Sequence, residues 1–84
     1  MTSPISLEGK RIIVTGAARG LGRAFAEAMI SAGASIMVAD ILEEEGRATA
    51  NAIGAEFVEL DLALPKSVDL CVETAVAALG GLDG

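Results

Sequence analysis

The stretch Thr15-Gly16-Ala17-Ala18-Arg19-Gly20-Leu21-Gly22 limits what this chain can fold into more than any other feature. It follows an apolar run, Arg11-Ile12-Ile13-Val14, and opens an Ala-rich helical pattern over 23–32. A strand that turns through glycines into a helix makes an anion cradle. The first four helical N–H groups have no intrahelical partner, and the helix dipole gathers positive charge beside them. An anion there gains roughly 0.3–1 kcal/mol from the dipole, before its hydrogen bonds are counted. Glycines suit such a turn because side chains would hold a phosphate away from the backbone.

Beyond the turn, strand and helix patterns alternate. Arg11–Thr15 is an apolar run without alternation, the mark of a strand buried on both faces of a parallel sheet. The helix that follows carries a stripe of Leu21, Phe25, Ala28, Met29 and Ala32, with Gly33 as a left-handed terminator. Ser35–Asp40 reads as a second buried strand and 42–53 as a second helix. Glu43, Glu44 and Glu45 crowd that helix's first turn, a solvated position that suits the dipole. Gly54 ends it, and 55–60 gives a third strand. A third helix, Pro65–Leu79, takes Pro65 at its first position and packs through Val68, Val72, Ala75, Val76 and Leu79, with Cys71 alongside. Leu64 stands where Asp, Ser or Thr is the usual cap. The βαβαβα succession predicts an α/β fold, a Rossmann-type parallel sheet of order 3-2-1 with right-handed crossovers, half of a doubly wound fold. Residues 1–6 read as a loose tail. Residues 7–84 read as part of a dinucleotide-binding domain, whose first strand is left with an open edge prone to aggregation.

The glycine spacing, Gly-x-x-x-Gly-x-Gly preceded by Thr15, resembles the signature of the short-chain dehydrogenase/reductase family, and Arg19 in place of glycine resembles its common single-domain branch. The resemblance spans about Leu7 to Gly84 and implies a nicotinamide-dinucleotide site, with a fourth strand on the other side of the first, short of which these residues are expected to stop. Gly16, Ala18, Arg19, Gly20, Leu21 and Gly22 would form the cradle, with Ala17 beside them. Thr15 is expected to bond the turn's own backbone. Asp40 and Ile41 would meet the adenosine ribose, and Asp61 and Leu62 the adenine. A carboxylate at Asp40 accepts the ribose hydroxyl protons and repels the 2′-phosphate of NADP, so NAD is expected. Arg19 is the counter-signal, because a cation there favours the phosphorylated cofactor.

The resemblance implies a parent enzyme that transfers hydride between NAD(H) and an alcohol or ketone, as a homo-oligomer. In that family the chemistry rests on a Tyr, a Lys four residues later, a Ser and an Asn. This sequence contains no Tyr and no His, and its lysines, Lys10 and Lys66, lie outside the cradle. No catalytic residue is therefore assigned, and the 84 residues alone are expected to be inactive. A free-standing, non-catalytic dinucleotide-binding module is the second reading. An S-adenosylmethionine-binding sheet is the third, disfavoured by Thr15 and by the three-residue gap after Gly16.

A net charge of −6 without a basic cluster argues against nucleic acid or an anionic membrane as partner. The single cysteine, Cys71, excludes an internal disulfide framework and reads as a small buried hydrophobe. No apolar run approaches the roughly 18 residues of a membrane span, and the start resembles no secretory leader, so the expected location is cytoplasmic. No metal site is expected.

Overall fold

A computed structural model describes residues 6–84. All of the expected tail except Ser6 lies outside the described residues. Three strands, β1 (Arg11–Thr15), β2 (Ser35–Asp40) and β3 (Glu56–Glu59), alternate with three helices, α1 (Gly20–Ser31), α2 (Glu43–Ile53) and α3 (Pro65–Leu79). The strands are parallel with β2 in the middle, so the expected order is found.

β2 organises the core. Ile36, Met37, Val38 and Ala39 are all buried, because a central parallel strand has helices over both faces. Alternate residues then choose sides. Ile36 and Val38 pack with Ile12, Val14 and Phe57 beneath Ala26, Met29 and Ile30 of α1 and Ala50 and Ile53 of α2. Ala39 packs on the other face with Ile13, Val58 and Leu60 against Cys71 of α3. Small residues bring the layers close. A Cβ at Gly46 would lie 2.1 Å from Cε1 of Phe57, so α2 rests directly on that ring.

Three expectations need correction. β1 is only half-buried, since it lies at the sheet margin rather than between two full strands. Leu21, Phe25 and Ala28 do not form the packing face of α1; its buried residue is Ala26, and Leu21 and Phe25 are exposed. Arg23 reaches α2, so Phe25 and Leu21, on the opposite flank of the same turns, point away from it. On α3 the buried residues are Cys71 and Ala75, while Val68, Val72 and Val76 flank them in solvent. A helix touching the sheet along one narrow line buries a single ridge of small residues, and the bulkier neighbours stay outside.

The edge of β1 is also less open than expected. After the left-handed cap at Gly80, Asp83 and Gly84 run beside β1. Asp83 N–H donates to the Arg11 carbonyl at 2.7 Å, and Ile13 N–H to that of Gly84 at 2.9 Å. The Arg11 side chain clasps the segment: its Nε and its own N–H donate to Asp83 Oδ2 at 3.0 and 2.8 Å, and its Nη1 to the Gly80 carbonyl at 3.0 Å. This cation and its hydrogen bonds hold the Asp83 carboxyl below the usual carboxylate range.

Candidate functional site

Open parallel sheets bind ligands beyond the carboxyl ends of their strands. A cleft of about 290 Å³ lies there, bordered by Thr15, Gly16, Ala39, Asp40, Ile41, Leu60 and Leu62. β1 and β2 contribute their last residues to it, and the chain leaving β3 contributes Leu60 and Leu62. Gly16 extends the sheet one step, donating its N–H to the Ala39 carbonyl at 2.8 Å, and the chain then turns into α1.

The three glycines of the turn are required for different reasons. Gly16 and Gly20 have φ of 66° and 64°, in the left-handed region, with no atom within 4 Å of where a Cβ would stand. Backbone conformation demands them, and their outer side is free for a ligand to approach. Gly22 has ordinary helical geometry, but a Cβ there would fall 2.2 Å from the Gly16 carbonyl oxygen. Its missing side chain seats the first turn of α1 directly on the loop. α1 begins only one residue before Leu21, inside the motif rather than at Arg23 as the sequence suggests. Its N-cap residue, Arg19, provides no side-chain hydrogen bond, and no acid lies in its first turn. The helix mouth thus has neither a side-chain cap nor a carboxylate of its own to meet the helix dipole.

Asp40, at the end of β2, joins the cleft to the turn. Its Oδ2 accepts the Ala18 N–H at 3.0 Å and its Oδ1 the Leu42 N–H at 3.0 Å. A carboxylate offers roughly four acceptor sites, so about two remain beyond these bonds. Ala18 is buried and has both backbone groups occupied, since its carbonyl accepts the Thr49 hydroxyl proton. Its place is to hold the loop, with Ala17 fully buried beside it.

The other sequence-selected residues divide. Leu21 is exposed on α1, away from the cleft. Ile41 and Leu62 are exposed and border the cleft with apolar side chains. Asp61 lies just outside that lining, where its Oδ1 accepts the Ala63 N–H and its own N–H donates to Ser67 Oγ. Among the described residues, the Thr15 hydroxyl makes none of the turn bonds expected of it; Thr15 borders the cleft instead. Arg19 reaches over to α2, with its Nη1 3.5 Å from Glu45 Oε2. Cys71 is buried on α3, where desolvation pushes its thiol pKa up.

Thr49 and Glu45 were not singled out from sequence. The signal for Thr49 was present in the small residues Gly46, Thr49 and Ala50, spaced three and four apart on a charged helix, which mark the face α2 buries. Glu45 gave no signal that distinguished it from Glu43 and Glu44.

Comparison with known proteins agrees with this geometry. A family profile described as short chain dehydrogenase matches residues 10–84. The chain is 45% identical over 80 residues to 2,5-dichloro-2,5-cyclohexadiene-1,4-diol dehydrogenase of Sphingobium indicum, covering 93% of this chain and 32% of that protein. It is 44% identical over 78 residues to 3-alpha-(or 20-beta)-hydroxysteroid dehydrogenase of Mycobacterium tuberculosis, covering 90% and 30%. Among solved structures, 3-ketoacyl-(acyl-carrier-protein) reductase from Brucella melitensis, complexed with NADH, superposes with a TM-score of 0.89 at 32% identity, over 93% of this chain and 33% of that one. Hydroxysteroid dehydrogenase from Escherichia coli superposes with the same TM-score at 29% identity, over 93% and 34%. The chain therefore spans about a third of the length of these relatives. The strand–turn–helix cradle, the sheet order and the matched profile together place this chain in the short-chain dehydrogenase family.

Proposed function

We propose that the cleft and the glycine turn bind NAD(H), and that the whole protein uses it to oxidise an alcohol or reduce a ketone. The observation that carries this reading is the pairing of an uncapped helix mouth with a carboxylate one hydrogen bond away through Ala18. A dinucleotide needs both at once, amides for its diphosphate and an acceptor for its ribose diol. The nicotinamide ring, when bound, supplies the hydride acceptor or donor. The residues of this chain bind and orient. Gly16 and Gly20 let the diphosphate approach the backbone, and the first amides of α1 face its charge. Asp40 accepts the ribose hydroxyl protons on its two free sites. Ile41 and Leu62 offer apolar faces to a flat base.

The same residues favour NAD over NADP. A 2′-phosphate would be brought against the Asp40 carboxylate, where like charges about 4 Å apart cost on the order of 1–4 kcal/mol. Arg19, the cation that would compensate, is already paired with Glu45. The NADH-bound relative supports a nicotinamide cofactor.

Fluorescence titration with NADH and NADPH, and calorimetry with S-adenosylmethionine, test the reading. NADH is expected to bind at least about tenfold more tightly than NADPH, and S-adenosylmethionine not at all. Preference for NADPH would overturn the cofactor choice, and binding of S-adenosylmethionine without NADH would overturn the class.

A further inference from the structure

Thr49 is buried beneath the glycine turn, although it comes from the middle of α2 and takes no part in the cleft. Its hydroxyl donates to the Ala18 carbonyl and accepts from Arg23 Nη1, at 3.5 Å. Ala18 in turn donates its N–H to Asp40, whose second oxygen takes the Leu42 N–H. Four segments are thus tied at one residue, Ala18: the turn, the first turns of α1, the end of β2 and the body of α2. Gly46 makes this reach possible, because it lets α2 settle on Phe57 one turn before Thr49.

We propose that Thr49 is a positioning residue for the cofactor site, setting the spacing between the amides at the α1 mouth and the Asp40 carboxylate. The two peptide planes that meet at the Ala18 Cα are each pinned by one of these bonds, the N–H plane by Asp40 and the carbonyl plane by Thr49. With the carbonyl plane fixed by Thr49, the turn holds the neighbouring plane where its N–H meets Asp40 Oδ2. Without the hydroxyl, the buried Ala18 carbonyl and the Arg23 guanidinium lose a common partner. Each then seeks another, and the turn follows the peptide. A ligand that must bridge the turn and Asp40 registers that shift directly, since affinity depends on meeting both ends at once. The inference rests on the NAD(H) reading above.

The test compares T49V and T49S with the unaltered protein in its full natural chain, with NADH as the probe. Valine keeps the shape and removes the hydroxyl; serine keeps the hydroxyl and removes a methyl group. T49V is expected to bind NADH about tenfold more weakly, the equivalent of one buried hydrogen bond, with T49S at unaltered strength. Thermal melts of the unliganded variants separate the two roles, because a purely structural Thr49 would lower the melting temperature without moving the NADH Kd of the folded protein. Unchanged NADH binding by T49V, or equal weakening in T49S, would overturn the proposal. If T49V does not fold, T49S still decides: its hydroxyl must sustain full affinity, and a folded T49S with weakened binding refutes the claim. Absence of NADH binding by the unaltered protein would overturn the cofactor reading itself, a result visible before any variant is compared.

Discussion

Replacing Gly22 with alanine adds one methyl group to a site with no room for it. The new Cβ would lie 2.2 Å from the Gly16 oxygen, 2.8 Å from the Gly16 carbonyl carbon and 3.1 Å from Cα of Ala17. Every one of these is a backbone atom, so no side chain can rotate away. Relief requires moving the start of α1 off the turn by on the order of 1 Å, the gap between 2.2 Å and an ordinary contact. Overpacking of this kind costs about 1–3 kcal/mol, and a rigid neighbour places it toward the upper end. Alanine in place of glycine returns up to about 1 kcal/mol of helix propensity. The net expectation is a loss of roughly 1–2 kcal/mol in urea unfolding. Cofactor binding should suffer more than stability, because the displaced groups are the amides of the cradle. G20A is the control. It meets no atom within 4 Å but forces a side chain to φ near 64°, so its cost is conformational, about 1 kcal/mol, with no displacement of α1. A G22A protein as stable as the parent, with unchanged NADH affinity, would refute the seating of α1 on the turn.

Two further substitutions probe separate parts. E45Q frees the Arg19 guanidinium; because the pair is exposed, NADPH affinity should rise only modestly, by up to about fivefold in a fluorescence titration, with NADH affinity unchanged. Asp83 provides a pH test. Its folded pKa is depressed by Arg11, so its contribution is fully present above the unfolded carboxylate pKa and is lost as the pH falls through the folded value. Thermal melts should therefore show the parent losing its advantage over D83N below about pH 4 and keeping it at neutral pH. An equal difference at every pH would show that the clasp depends on shape rather than charge.

Much of the fold was legible because its signals are local. The apolar runs of β1 and β2 and the glycine punctuation at Gly33, Gly54 and Gly80 depend on neighbours only a few residues away. What lay hidden depends on which side of each helix meets the sheet. On α1 the larger apolar residues suggested the contact face, whereas Ala26 is its buried residue; on α3 the expected Ala75 and Cys71 are buried, but the valines grouped with them are exposed, since small residues allow the closest approach. Asp40 was readable from its position at a strand end after the glycines. Its bond to Ala18 was not, nor the reach of Thr49 across 31 residues to the same residue. The Arg11 clasp was equally invisible, joining residues 72 apart that carry no motif.

The most direct test is the structure of the protein crystallised with NADH. The account predicts the diphosphate oxygens about 2.7–3.2 Å from amides in the first turn of α1, and the adenosine ribose hydroxyls at similar distance from Asp40. A dinucleotide seated elsewhere, or one whose ribose leaves Asp40 bonded only to Ala18 and Leu42, would contradict it.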